Sequence, residues 1–309
     1  MGKLSRLNQV QRIFSFGAVL MDELPIGRNI GGSPFNFAYY THLSQVATLL
    51  ISAVGNDHDG KDIIDFLKQI GMPLKWVRTL PDYPTGNVRV VLDDLTKLPS
   101  YIVRENTAYD YITETPDDCR DSIIYYGSSD QRSPTTRNTL KAYLEKSRDQ
   151  AITFCDLNLR PPFYNASIVN ECLSQADILK VSEDELNEVG KILKLPFSKE
   201  SDLVDHLHKQ FAIELTLVTK GPLGATVYPK SSHPITVKAP IIDPIADTVG
   251  AGDAFSARFL IAAIRGLDTE RCLVHAVELA SEICRHPGAI VPISKVPTHL
   301  RALKVCRSE

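Results

Sequence analysis

Residues 247–263 read DTVGAGDAFSARFLIAA, a glycine-rich turn that runs into a helical pattern. Gly250, Ala251 and Gly252 carry little or no side chain, so their amides can come close to a ligand. A helix starting near Gly252 points its unpaired N–H groups and the positive end of its dipole at the same spot. A phosphoryl group in transfer would be stabilised there. Asp253 falls in the first turn, where a carboxylate can take a proton from an attacking hydroxyl while neighbouring amides hold anionic oxygens. An isolated Gly-x-Gly-Asp describes an ordinary helix start equally well, with Asp as the dipole complement. The full string DTVGAGD is far more specific.

Other residues could join such a site. Asp22 follows an apolar run and could accept hydrogen bonds from ligand hydroxyls, although a turn or cap Asp has the same appearance. Gly31 and Gly32 permit close backbone approach, and Pro34 suits the first turn of a following helix. Asn158 and Arg160 stand just past a strand at 151–155, where ligands of open α/β sheets gather. Arg160 could fork onto a carboxylate or phosphate, or be a solvated loop charge.

Two phosphate motifs come close and fail. GNDHDGKD at 55–62 has P-loop spacing, but Asp62 replaces the magnesium-binding hydroxyl and Asp57 and Asp59 would repel a phosphate. In GAGDAF the third glycine of a dinucleotide fingerprint is replaced by Phe255, and no strand immediately precedes it. His206 and His208, two apart on a helical pattern, point to different faces and build no metal site.

The elements that must position these residues are legible from about Val46 onward. Short β-branched runs alternate with helical patterns, which predicts an α/β fold: a mostly parallel central sheet with helices on both faces. Strands are expected at Val46–Val54, Ala151–Cys155, Ile178–Val181 and Leu215–Thr219, and a helix near Ser167–Gln175. Asn87–Leu92 and Tyr101–Arg104 alternate like strands across a short gap and predict an antiparallel hairpin, which inserted in a parallel fold suits a lid. The free edge of that hairpin would invite pairing with a second copy.

The 309 residues, 43% hydrophobic and 23% charged, fit a folded globular chain near the upper size limit of one core. A net charge of -3 without basic runs argues against nucleic acid. Val46–Val54 is far shorter than the ~20 residues of a membrane span. No leader is evident, so a cytoplasmic location without membrane partners is expected. The six cysteines lack CxxC spacing and are expected to be reduced, mostly buried thiols.

DTVGAGD resembles the C-terminal signature of the ribokinase-like carbohydrate kinases, the phosphofructokinase-B family, and other motifs follow in the family's order over about residues 12–292. They are FGAVLMDELP with Gly17 and Asp22, GGSPFNFA at 31–38, SAVGNDHDGKDI, PTG at 84–86, and VTKGPLGA at 218–225. DLNLR at 156–160 and ADILKVSEDEL at 176–186 look most like the fructokinase branch. The resemblance implies one ribokinase-like kinase domain over 1–309, with a β lid formed from about 14–30 and 84–112. It implies ATP and magnesium as cofactors and a small sugar, fructose first, as substrate, with Asp253 as the base.

The alternatives it leaves open are another sugar or sugar acid, or a catalytically silent sugar-binding regulator. It carries Asp22, Gly31, Gly32 and Asn36 over as sugar contacts, and Asn158 and Arg160 at the strand end and Arg104 of the lid are expected to join them. Ser182, Thr219, Gly221 and Gly224 become nucleotide contacts, Glu185 places magnesium through water, and Asp247 and Val249 lie at a potassium site. The chain departs from the family at Ser182, where Asn is common, and at Phe35 and Phe37, which are expected to make the sugar pocket narrower or differently shaped.

Overall fold

The computed structural model describes residues 2–24, 27–92, 99–195, 197 and 199–301. In chain order the strands are β1 Arg12–Phe16, β2 Leu20–Leu24, β3 Gly27–Gly31, β4 Ala47–Gly55, β5 Val77–Leu80, β6 Gly86–Leu92, β7 Pro99–Val103, β8 Ser122–Tyr126, β9 Ala151–Asp156, β10 Ile178–Ser182, β11 Leu215–Thr219, β12 Ala225–Pro229 and β13 Ile235–Val237. The helices are α1 Ser33–Leu43, α2 His58–Gln69, α3 Pro134–Ser147, α4 Ala166–Ser174, α5 Glu183–Ile192, α6 Glu200–Phe211, α7 Ala251–Ile264, α8 Thr269–Ile283 and α9 Thr298–Arg301.

Nine strands form the central sheet in the order β13-β12-β11-β10-β9-β8-β1-β4-β5, parallel except for β12 and β13 at one edge. β8 and β9 are buried at every position, as expected for parallel strands covered on both faces. Successive residues feed opposite cores: Ile13, Ile123 and Phe154 pack with α1, α2, α7 and α8, whereas Phe14, Ile124 and Cys155 pack with α3 to α6. Helix α7 is buried from Ala254 to Ala262, so it lies inside the molecule between α1 and α8 and has no polar stripe.

The remaining four strands make a separate sheet in the order β3-β2-β6-β7. The hairpin expected at 87–104 is present as the antiparallel pair β6–β7, with Val88 opposite Val103; its loop at 93–98 lies outside the described residues. β6 also runs parallel to β2, with Leu20 opposite Gly86. The small sheet starts later than the expected residue 14, because 14–16 belong to β1 and pair with β4 and β8. The chain leaves the central sheet at Gly17, where φ is +135°.

Cys119, Cys155, Cys172 and Cys272 are buried and unbridged, and Cys284 is half-buried; Cys306 lies outside the described residues. No helix among the described residues is long and apolar enough to cross a membrane.

Candidate active site

The carboxyl ends of the parallel strands carry the residues singled out by chemistry. β1 leads into Gly17, β9 into Asn158 and Arg160, β10 ends on Ser182, and β11 on Thr219. Across this edge lies the start of α7. Gly250 caps the helix with φ +78°, and a methyl group there would come within 2.6 Å of Ala289 Cα, so glycine is required twice over. Ala251 N–H makes a long 3.3 Å bond to Thr248 O. Among the described residues, the amides of Gly250, Gly252 and Asp253 have no acceptor. Two of the three expected anion-binding amides, those of Gly250 and Gly252, are therefore open and Asp253 N–H joins them, while the turn itself uses Ala251.

Asp253 is held from both sides by α1. Ser33 Oγ donates to its Oδ1 at 2.6 Å and Asn36 Nδ2 donates to its Oδ2 at 2.8 Å. Burial and the charge of Asp156 push its carboxyl up to about 6, against those two hydrogen bonds and the Lys180 charge. A carboxylate with this affinity is suited to accept a proton near neutral pH. Asn36 Oδ1 is buried and receives no hydrogen bond among the described residues, so a hydroxyl donor from a ligand would satisfy it.

Beneath the α7 terminus lies a buried ion pair that the sequence did not reveal. Lys180 and Asp156 face each other across β10 and β9, with Nζ 3.0 Å from Oδ1, and they are 8% and 2% exposed. A Cβ on Gly252 would come 3.2 Å from Lys180 Nζ, so the ammonium stands directly under the anion-binding turn. Asp156 Oδ2 also accepts from Ser256 Oγ at 2.9 Å and from Tyr125 Oη at 3.2 Å. Each of these residues sits alone on its own element, and only the strand order brings them together.

Asp22 lies on β2 of the small sheet, opposite Asn29 and packed against Gly31, where a side chain would strike its carboxylate. Burial and the charges of Asp253 and Asp247 push Asp22 up to about 6, while Arg160 acts the other way. Asp253, Asp247 and Arg160 therefore all lie near enough to Asp22 for their charges to act on it. Gly32 caps α1 with φ +104°, and Asn158 adopts φ +45° in the loop that leads to Arg160.

Arg104 is exposed at the end of β7, and its charge acts on Asp57 at the start of α2; this structure does not bring it to Asp22 or Asp253. Phe35 and Phe37 do not narrow the space. Both are fully buried, and Phe37 stacks on Tyr125 at 3.7 Å, because neighbours of Asn36 on a helix point about 100° away from it.

Ser182 caps α5 in a reciprocal box: its Oγ accepts from Glu185 N at 3.1 Å, and Glu185 Oε2 accepts from Ser182 N at 2.7 Å. Glu185 Oε1 accepts from Leu159 N at 2.8 Å and so also fixes the loop carrying Asn158 and Arg160. Gly221 and Gly224 form a tight turn after β11, with Gly224 N bonded to Gly221 O at 3.1 Å, and Thr219 is half-buried beside it. Asp247 Oδ1 accepts from Val249 N and Oδ2 from Gly288 N, which locks the approach to Gly250.

The rejected P-loop lookalike is closed by its own chain. Asp57 accepts from Gly60 N, Thr85 N and Thr85 Oγ1, filling the α2 terminus with a carboxylate. Burial raises its proton affinity, but the bonds from Thr85 and Gly60 outweigh that and hold it below the usual range.

The family model for pfkB family carbohydrate kinases matches residues 7–296. An ATP-dependent 6-phosphofructokinase of Thermoanaerobacterium thermosaccharolyticum is 27% identical over 282 residues, 87% of this chain and 83% of that protein. A probable fructokinase-5 of Arabidopsis thaliana is 25% identical over 96% of this chain and 98% of its own. Among solved structures, a putative ribokinase II from E. coli in complex with ATP and magnesium superposes with a TM-score of 0.78 at 20% identity, covering 91% of this chain and 94% of that one. The glycine-capped helix with its fixed carboxylate, the mostly parallel sheet and the match over nearly the whole length agree: the chain belongs to the pfkB family of carbohydrate kinases and is a sugar kinase.

Proposed function

We propose that the protein transfers the γ-phosphoryl group of ATP to a primary hydroxyl of a small sugar, with fructose the first candidate. The observation that carries this reading is Asp253, fixed by Ser33 and Asn36 beside the open amides of Gly252 and its own N–H. The sugar lies between Asp22, Gly31, Gly32, Asn36, Asn158 and Arg160. Asp22 and Asn36 Oδ1 accept its hydroxyl hydrogens. ATP lies along Ser182, Thr219, Gly221 and Gly224. The attacking hydroxyl gives its proton to Asp253 as its oxygen meets the phosphorus, and the α7 amides with the Lys180 ammonium hold the developing charge.

The residues present fit the expected ions. Glu185 is pinned by two amide bonds and keeps lone pairs for a hydrated magnesium. Carbonyl oxygens around Asp247 and Val249 are hard donors of the kind potassium takes. Magnesium, when bound, neutralises charge on the phosphates.

The test is turnover of ATP to ADP by purified protein with fructose, fructose 6-phosphate, ribose, 2-keto-3-deoxygluconate and adenosine, with Asp253→Ala as control. Fructose 6-phosphate belongs in the panel because a 27% identical relative is a 6-phosphofructokinase. Turnover with fructose that vanishes in the variant supports the proposal. Preference for another compound keeps the mechanism and changes the substrate, and sugar binding without turnover of any of them overturns the catalytic reading.

A further inference from the structure

Three oxygen-to-oxygen contacts join two carboxylates through the middle of the molecule. Asp253 Oδ1 is 2.6 Å from Ser33 Oγ, Ser33 Oγ is 3.2 Å from Tyr125 Oη, and Tyr125 Oη is 3.2 Å from Asp156 Oδ2. With both carboxylates ionised, two hydroxyls supply two hydrogens for these three contacts. A charged acceptor is stronger than a neutral one, so Ser33 directs its hydrogen to Asp253 and Tyr125 directs its own to Asp156. The middle contact is then left without a hydrogen. Asp156 is kept as an acceptor by Lys180 on Oδ1 and by Ser256 on the same Oδ2 that Tyr125 meets.

We infer that Ser33 and Tyr125 are positioning residues that let Asp253 hold the proton it takes from the substrate hydroxyl, by completing this chain of hydrogen bonds. The inference rests on the reading of Asp253 as the base. In the transfer the sugar O–H bond breaks, the sugar oxygen bonds to the γ-phosphorus, and the bond from that phosphorus to the bridging oxygen breaks, releasing ADP. The proton goes to Asp253 Oδ1. Protonated Asp253 donates to Ser33 Oγ, Ser33 turns its hydrogen to Tyr125 Oη, and Tyr125 still donates to Asp156. Three hydrogens now fill three contacts. Asp253 alone has gained a proton, which returns to water as products leave.

The titratable and charged groups facing Asp253 are Asp22 from β2, Tyr40 from α1, Tyr125 from β8, Asp156 from β9 and Lys180 from β10, with Arg160 and Asp247 acting on Asp22. Tyr40 Oη is committed to Ala289 O at 2.8 Å. Ser33 and Tyr125 alone bridge from Asp253 to Asp156 among the described residues.

Two variants must move the proton affinity of Asp253 in opposite directions. Ser33→Ala removes a hydrogen bond from the ionised carboxylate and raises it. Tyr125→Phe keeps that bond and the ring stacked on Phe37, but removes the acceptor for the turned hydrogen and lowers it. One ordinary hydrogen bond corresponds to roughly 0.7 of a pH unit. The experiment is the pH dependence of kcat beside a carbon-13 NMR titration of the Asp carboxyls, with the Asp253 signal assigned by its loss in Asp253→Asn. Opposite shifts in both readouts support the chain. No shift in Tyr125→Phe, or shifts of one sign in both variants, overturns it. If Asp253→Asn retains kcat, the assignment of the base falls instead, and the NMR titration still decides whether the carboxyl feels Tyr125.

Discussion

Asn36 Nδ2 and Asp253 Oδ2 lie 2.8 Å apart although 217 residues separate them in the chain, and this bond fastens the start of α7 to α1. Both residues stand in the first turn or so of their helices, so the two termini meet at the reacting space.

Replacing Asp253 by Asn retains the shape but not the base. The expected result is a fall in kcat of roughly 10²- to 10⁴-fold with sugar affinity nearly unchanged. Steady-state kinetics with calorimetric sugar binding checks it; a near-normal kcat removes Asp253 from the role of base.

Activity and stability should respond to acid in opposite senses. The carboxyl of Asp253 is raised to about 6 and must be ionised to act, so kcat falls as pH drops through that value. Asp130 is likewise raised to about 6, chiefly by burial, while accepting from Ala18 N at 2.8 Å. A carboxyl with a folded value above its unfolded one destabilises the fold when ionised, fully above about pH 6, and the penalty disappears as pH falls toward about 4. The penalty is on the order of 3 kcal/mol. Thermal melts of the wild type should therefore gain on Asp130→Asn between pH 7.5 and 5; a constant difference between the two curves contradicts this.

Arg132 lies under the segment returning from the small sheet. It pairs with both oxygens of Asp110 at 2.7 and 2.8 Å, donates to Arg104 O at 2.7 Å, and sits over the rings of Tyr109 and Phe163. Arg132→Met leaves the Asp110 carboxylate buried without its partner and should cost about 3–5 kcal/mol. Denaturant unfolding measures the loss, and a change under 1 kcal/mol would show that the pair contributes little.

Ser182→Ala removes the cap of α5 and should cost about 1 kcal/mol of stability. The same variant reports on the nucleotide. A raised KM for ATP supports Ser182 as a contact, whereas an unchanged KM with lowered Tm confines it to the helix.

Activity in potassium should exceed that in tetramethylammonium several-fold if the turn at Asp247 and Val249 takes a monovalent cation. Equal rates in the two salts would remove that site.

Much of this was readable in the chain, for definite reasons. Parallel strands such as Ala151–Asp156 are buried on both faces, and so appear as continuous apolar runs that local reading detects. Asp253 and Gly250 were legible because a helix start and its glycine cap are contiguous in sequence. Lys180, Asp156, Tyr125 and Ser33 were not, since each looks like an ordinary strand or turn residue until strand order places β8, β9 and β10 side by side. That β2 and β6 belong to one small sheet was implied by the resemblance alone, and their parallel register could not be read from the residues because Leu20 and Gly86 are far apart in the chain. Phe35 and Phe37 misled because adjacency in sequence is not adjacency on a helix surface.

The small sheet is threaded into the body at four places: residues 17–19, Gly32, 81–85 and 104–107. A flap on one stem can swing freely, but a tray on four legs cannot. Any approach of this sheet to the sugar has to be a shallow rocking in which all four legs bend together, led at one of them by Gly17 with its φ of +135°. Stiffening the leg at 81–85 would then slow the arrival and departure of the sugar without touching a residue that contacts it.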